Sequence, residues 1–489
     1  MKRYIVALDE GTTSARAAVF DRQQRKIIAV ASKPIKQIYP RPGWVEQDLC
    51  RLYAAQISAM YEAVLMSGID PCDILSVAVT NQRETAAAWD RETGEPVCNA
   101  IVWQCRRTAP LCKKLKSDGA EPLIAERTGL VADAYFSATK YRWILDNVPK
   151  ARELLERGRL ALGTIDSYLI FRLTAGRVFV TDHTNASRTM LMNLETLDWD
   201  GEMLKLFDIP RGALAEIRAS DAHVGHTCAL GGSLPIGGIA GDQQAALYGQ
   251  GCLSAGTAKN TYGTGCFLLM NTGDKLIRSK SRLLTTVGVS AGGKISYALE
   301  GSVFSAGSAV KWLKDGLGLI ASEKETAALA QSVSGSGGAY FVPALNGLGA
   351  PYWDMDARGA LLGITAATGR AHVVRAVLES IGFMAADVAR LMESDSGIGI
   401  NRLSCDGGAS ANDFLMQFQA DILGVPCFRA AERESTALGA ALLSELSMGE
   451  RPPEGAAPPA GREFLPEMKS SRRKELEDGW QSAVKRVLT

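Results

Sequence analysis

The segment DEGTTSAR, residues 9–16, combines a carboxylate, a glycine, three hydroxyls and an arginine within eight residues. Gly11 lets backbone amides approach an anion closely, the hydroxyls of Thr12, Thr13 and Ser14 add donors, and Arg16 can neutralise phosphate charge. Asp9, at the end of an apolar run, is placed to hold Mg²⁺ directly or through water, because oxygen ligands suit that hard cation. A tight hairpin turn with a polar surface accounts for the same residues. No G-x-x-x-x-G-K-[ST] pattern stands here, which excludes a P-loop. A second Gly/Thr turn runs from Tyr262 to Gly265, and a third Gly-rich element, DGGAS, from Asp406 to Ser410. Two similar hairpins, one per half of the chain, can grip a polyphosphate from both sides. At DGGAS the absent side chains leave room for an adenosine to lie flat on backbone, with Asn412 as a polar contact.

The elements that position these turns follow from periodicity. Residues 4–8 and 15–20 are short apolar runs around the first turn and read as strands, with a third strand at 26–34. Tyr53, Ile57, Met60 and Val64 step at helical spacing, and residues 74–80 give another strand ending at Asn81. Near residue 240 the plan starts over. Residues 236–240 lead into Gly241-Asp242-Gln243-Gln244, and strands at 259–262 and 266–270 flank the second Gly/Thr turn. Residues 374–392 are an amphipathic helix with Val377, Ile381, Met384, Val388 and Leu391 on one face. A strand at 403–405 feeds DGGAS, which opens a helix through Phe414, Phe418 and Ile422. The expected fold is α/β, in two halves of one architecture meeting near residue 250, as domains 1–250 and 251–489. Residues 451–461 read as a Pro/Ala-rich connector and 468–488 as a terminal helix.

Composition bounds the function. The chain has 489 residues, 54 Lys+Arg against 53 Asp+Glu, 46% hydrophobic and 22% charged residues. At about 150 residues per domain that allows three units or two larger ones. Disorder and collagen-like repeats are excluded, and balanced charge argues against nucleic acid or an anionic membrane as partner. Ten cysteines with no C-x-x-C pair make neither a disulfide scaffold nor a zinc site. The five-residue apolar run before Asp9 is too short for a signal peptide. The longest charge-free stretches, 224–241 and 331–353, are rich in Gly, Ser and Pro and read as loops and buried turns, not membrane helices. A reduced, cytoplasmic protein without an integral membrane segment is expected.

The strings DEGTTSARA, NQRET (81–85), WQCRRT (103–108), AYFSATK (134–140), TDHTNASRTM (181–190), GDQQAALYGQ (241–250), TYGTGCF (261–267), GLGAPYWDMDARG (347–359) and CDGGASANDFLMQFQADILG (405–424) resemble the glycerol kinases. These belong to the FGGY carbohydrate kinases of the actin-like ATPase superfamily. The resemblance runs in order from residue 4 to about 448. It implies two actin-like (ribonuclease H-like) domains with mixed sheets flanking an interdomain cleft, and transfer of the γ-phosphoryl group of MgATP to a primary hydroxyl of glycerol. Asp242 matches the family's catalytic base, and a helix start there favours its ionised form, although an N-cap carboxylate is the common use of Asp at such a spot. Arg83 and Glu84 match polyol contacts, a donor fork beside an acceptor that suits a small triol. Trp103, Tyr135 and Phe267 match the pocket wall, and Gln243 joins them in the polyol set. Thr12, Thr13, Ser14, Arg16, Thr264, Gly307, Lys311, Gly408 and Asn412 match nucleotide-lining positions, and Asp9 with Asp242 the Mg²⁺ carboxylates. Related kinases for other small polyols or ketoses, such as erythritol or dihydroxyacetone, share this architecture; non-catalytic actin-like ATP-binding proteins lack the polyol set. Members often assemble as homodimers or homotetramers.

Three departures stand out. Glu10 occupies a position where the family usually has Gln, which puts an added carboxylate beside the phosphate turn. Lys311 replaces a common Gln, and its ammonium either offsets that charge or points to solvent. The stretch 230–235 lacks the arginine with which some bacterial members bind fructose bisphosphate, so no strong inhibition by that ligand is expected. His223 and His226 lie near a position phosphorylated in other members, but their flanks do not match it.

Overall fold

Apolar residues fill both faces of Tyr4–Glu10 (β1), the central strand of a six-stranded sheet, and all but Tyr4 are buried. β1 pairs antiparallel with Ser14–Asp21 (β2), which pairs antiparallel with Lys26–Pro34 (β3). Leu49–Ser67 (α1) starts at an N-cap where Asp48 accepts from the Arg51 amide at 3.0 Å, and ends at Gly68 in the left-handed conformation. Its buried face, including Leu52, Met60 and Val64, packs on this sheet. Ile74–Asn81 (β4) pairs parallel with β1 on the other side.

The charge-free stretch 224–241, expected as loop, is instead mostly strand. His223–Thr227 (β5) and Leu234–Gly241 (β6) form an antiparallel hairpin, and β6 pairs parallel with β4. The sheet order is β5-β6-β4-β1-β2-β3. The glycines in β6 serve close packing rather than a turn. At Gly238, φ is 78° and an added Cβ would stand 2.4 Å from the Ser444 amide nitrogen, so a helix lies directly on this strand. Among the described residues of the other stretch, 331–353, the one named strand is Tyr340–Val342.

The computed structural model describes residues 2–345, 347–450 and 461–489. Except for Gly461, the Pro/Ala-rich connector lies outside the described residues. Asp242–Gly249 (α2) follows β6 without a break. Thr257–Tyr262 (β7), Cys266–Gly273 (β8), Leu284–Ala291 (β9) and Lys294–Val303 (β10) then make an antiparallel run in which β8 pairs with β7 and β10, and β9 with β10. After Gly307–Lys311 (α3) and Arg370–Ser396 (α4), Arg402–Asp406 (β11) pairs parallel with β7. Asp413–Leu423 (α5) leads to Cys427–Arg429 (β12), parallel to β11, and Arg462–Phe464 (β13) closes the edge. The second sheet runs β9-β10-β8-β7-β11-β12-β13. Each half therefore contains a run of antiparallel strands, three in the first and four in the second, followed by two parallel ones, the repeat that the turns announced. In α4, Val377, Ile381, Met384 and Val388 are buried.

Ser435–Ser447 (α6) belongs in sequence to the second half, but Ala437, Leu438, Ala440 and Ala441 pack on Ile5, Ala7 and Ala78 of the first sheet. The terminal helix is Ser470–Lys485 (α7), shorter than 468–488, and it buries Leu476, Trp480, Ala483 and Val484. Among the described residues no helix is long and apolar enough to cross a membrane.

Candidate active site

The C-terminal ends of β1, β4 and β6 lie side by side, with Glu10 and Gly241 both in register with Asn81. This brings together the turn after β1, the NQRET segment after β4 and Asp242 at the first position of α2. Such a strand-end crevice is where ligands bind in open α/β sheets.

Arg83 reaches across it. Its Nε lies 3.3 Å from Asp242 Oδ1, and its two terminal nitrogens grip Glu300 of β10 at 2.5 and 3.0 Å. Arg188 completes a closed network, donating through Nε to Glu84 Oε1 at 2.6 Å and through Nη2 to Glu300 Oε1 at 2.9 Å. Arg83, Glu84, Arg188 and Glu300 are all buried. Their two positive and two negative charges balance, and the bidentate geometry offsets desolvation. Burial opposes ionisation of Glu300, yet Arg188 and Arg83 hold its carboxyl down at about 2. At Glu84 burial wins and the carboxyl is raised, although the same arginines oppose the rise. Glu84 has φ 59°, a left-handed backbone that costs energy and recurs at ligand sites. The Ser137 hydroxyl and Lys140 ammonium both donate to its carbonyl.

Trp103 and Tyr135 form a wall beside this network, their rings 5.5 Å apart and nearly edge to face. Trp103 Nε1 donates to Thr12 Oγ1 at 2.9 Å, which ties the wall to the first turn. Phe267 is half-buried on β8, in the other half of the chain. Cys105 is fully buried, and its sulfur accepts from Arg107 Nε.

The two Gly/Thr turns are built alike. The Gly11 amide donates to the Ser14 carbonyl at 3.0 Å, and Gly263 to Gly265 at 2.9 Å. The Gly307 amide bonds the Gly263 carbonyl, and Ser308 the Thr264 carbonyl, so α3 begins against the second turn. Thr13 and Thr264 are exposed, Thr12 and Ser14 half-buried. Arg16 pairs across the halves with Glu434 at 3.5 Å. Gly407 has φ 85°, and a Cβ there would stand 2.5 Å from the Tyr262 carbonyl oxygen; the third Gly-rich element thus rests against the second turn. Gly408 is exposed beside it. Asn412 caps α5, accepting from the Leu415 amide at 3.1 Å, and donates to Thr326 Oγ1 at 3.0 Å. DGGAS therefore precedes α5 as a short 3₁₀ turn instead of opening the helix. Lys311 is exposed and pairs with no carboxylate among the described residues.

Glu10 is fully buried against Gln82, whose Nε2 lies 3.3 and 3.2 Å from its oxygens. Gln82 also donates to Gln47, which donates to the Thr12 carbonyl. Burial raises the Glu10 carboxyl well above the usual range, against the opposing bond from Gln82. A carboxyl raised by folding holds its proton more tightly in the folded chain than in the unfolded one. It therefore costs stability as pH rises above its ordinary value near 4.5, by about 1.4 kcal/mol for each tenfold gain in proton affinity. Glu10→Gln is expected to raise the melting temperature by an amount that grows between pH 5 and 8. A pH-independent difference in thermal melts contradicts this.

Asp9, at the end of β1, and Asp242, just after β6, lie at the strand ends on either side of β4. Burial pushes the Asp9 carboxyl up to about 7; Arg16 opposes the rise and Asp242 adds to it. Two carboxylates near enough to repel one another beside a Gly/Thr turn fit Mg²⁺, which takes one or two carboxylates and fills its octahedron with water and phosphate oxygens. No cluster of three or more His, Cys, Asp or Glu that would make an all-protein cage occurs among the described residues.

Sequence patterns do not single out Arg188, Glu300, Gln82 or Lys259. Arg188 sits inside the string NASRTM. Glu300 is the lone acid among apolar neighbours in β10, a signal that a buried charge needs partners.

Comparison with known proteins agrees with this geometry. Residues 4–249 match the N-terminal domain, and 258–448 the C-terminal domain, of the FGGY family of carbohydrate kinases. A Thermotoga maritima protein named glycerol kinase 2 is 53% identical over 491 residues, with 99% of each chain covered. The glycerol kinase of Treponema denticola is 53% identical over 494 residues, covering 100% of this chain and 99% of its own. Among solved structures, Plasmodium falciparum glycerol kinase with ADP superposes with a TM-score of 0.94 at 35% identity, over 99% of this chain and 98% of that one. A Lactobacillus acidophilus xylulose kinase shares the fold, with a TM-score of 0.87 at 24% identity over 99% and 97%.

Proposed function

The chain belongs to the FGGY family of carbohydrate kinases, and we propose that it transfers the γ-phosphoryl group of MgATP to a primary hydroxyl of glycerol, giving sn-glycerol 3-phosphate. One observation carries the reading: the Asp242 carboxylate stands 3.3 Å from the buried Arg83 guanidinium, at the mouth of a crevice walled by Trp103 and Tyr135. Arg83 and Glu84 supply a donor and an acceptor for adjacent hydroxyls, the aromatic wall and Phe267 cover the carbon chain, and Gln243 adds a polar contact. Asp242 accepts the proton of the attacking hydroxyl. Phosphoryl transfer has a loose transition state, so alignment and charge neutralisation outweigh the strength of that base. Thr12, Thr13, Ser14, Arg16 and Thr264 bind the phosphates, while Gly307, Lys311, Gly408 and Asn412 line the rest of the nucleotide. Asp9 and Asp242 would hold Mg²⁺, which would supply charge neutralisation for the transferring phosphoryl group. Residues 1–250 thus carry most of the polyol and phosphate contacts, and 251–489 the rest of the nucleotide together with Thr264 and Phe267. A cytoplasmic location and a homodimer or homotetramer belong to the same reading.

Glycerol, erythritol, dihydroxyacetone and xylulose, offered with MgATP and followed by ADP release, test it. Glycerol is expected to give a kcat/KM at least tenfold above the others, with sn-glycerol 3-phosphate as product by phosphorus NMR. Faster turnover of another polyol or ketose reassigns the substrate.

A further inference from the structure

Lys259, on β7, is fully buried, and its ammonium pairs with no carboxylate among the described residues. It donates to two neutral oxygens, Gln243 Oε1 and Thr261 Oγ1, the latter at 2.9 Å. A buried, unpaired ammonium is costly, and burial lowers its pKa. What it does is orient an amide. Because an ammonium has no acceptor, Gln243 must turn its oxygen to Lys259, and its NH₂ group then faces Asp242 Oδ2 at 3.4 Å. The Gln243 backbone amide holds Asp242 Oδ1 at 2.7 Å, and Arg83 Nε approaches the same oxygen. Both oxygens of Asp242 are thereby oriented from three sides, one of them anchored in the other half of the chain.

Resting on the kinase reading above, we infer that Lys259 is a positioning residue: it fixes the Gln243 carboxamide so that Asp242 is aimed at the substrate hydroxyl. The chain of contact runs Lys259, Gln243, Asp242, and Lys259 acts only through its middle member.

A double-mutant cycle in the full-length chain tests this. Lys259→Met and Gln243→Ala are each expected to lower kcat about 30–100-fold; the polyol KM stays within threefold of the parent in Lys259→Met, while Gln243→Ala, which also removes a polyol contact, raises it. The double variant is expected to fall no more than threefold below the worse single one. Lys259→Arg is expected to recover kcat to within tenfold of the parent. Losses that multiply in the double variant overturn the proposal, since Lys259 would then act independently of Gln243, as on the phosphoryl group itself. Undiminished kcat in Gln243→Ala overturns it even if Lys259→Met fails to fold, which melting curves and ADP binding reveal. The cycle uses whichever polyol turns over fastest, so loss of the glycerol preference defeats the substrate assignment alone.

Discussion

Asp242→Asn is expected to lower kcat about 10³-fold, with ADP binding and the polyol KM within a fewfold of the parent. The amide keeps the shape of the side chain and can still accept from the Gln243 backbone amide through its oxygen, now 2.7 Å from Oδ1. It cannot take a proton, and it removes one of the two carboxylates proposed to hold Mg²⁺. General-base catalysis is worth about 10²–10⁴-fold, and a weaker hold on the proposed Mg²⁺ would add to the loss. Arg83, Glu84 and Tyr135 remain in place, so ground-state polyol binding persists and the loss falls on the chemical step. Thermal stability should hold or rise, because Asp242 is one of the charges that raise the Asp9 carboxyl. Steady-state kinetics with glycerol and calorimetric ADP binding check both halves of the expectation. A kcat within tenfold of the parent means that Asp242 is not the base.

The parts of this site that are legible in the sequence are those encoded locally. DEGTTSAR and TYGTG are turns whose glycines and hydroxyls act within a few residues, and both lie where the pattern puts them. Asp242 at a helix start follows from a strand running straight into Gly241. Three kinds of information are not local. The stretch 224–241 lacks charge because β6 is covered by α6, and glycine in a buried strand looks from the sequence like glycine in a loop. Asn412 offers itself as a polar contact for a ligand, but N-capping takes its side-chain oxygen, a use that depends on where α5 begins. The network beside the Trp103–Tyr135 wall joins residues 83, 84, 188 and 300, and no spacing rule connects positions more than 200 residues apart. Only the resemblance supplies Arg83 and Glu84, and it carries no statement about the partners that hold them.

Those partners make Glu300→Gln the variant with the largest expected effect on stability. Glu300 accepts from both Arg83 and Arg188 with no solvent to share the charge. Removing one partner of a buried ion network costs about 3–5 kcal/mol, because the remaining charges stay buried and uncompensated. The sign of the pH dependence follows from the lowered carboxyl. Its stabilisation is fully present above the unfolded value near 4.5 and is lost as pH falls through about 2, so the deficit of the variant is largest at neutral pH and shrinks on acidification. Arg83 also loses the anchor that aligns its Nε with Asp242, so the polyol KM should rise about tenfold or more while the ATP KM changes little. Denaturant melts at pH 7 and pH 3.5, with the two Michaelis constants, separate these effects. A second change, Arg188→Met, removes one of the stranded charges and should restore part of the stability, yet it leaves Glu84 without its Nε donor and so should not restore the polyol KM. Recovery of both would show that the network serves folding alone; recovery of stability without affinity shows that Glu300, on the second half of the chain, sets the geometry with which the first half grips its substrate.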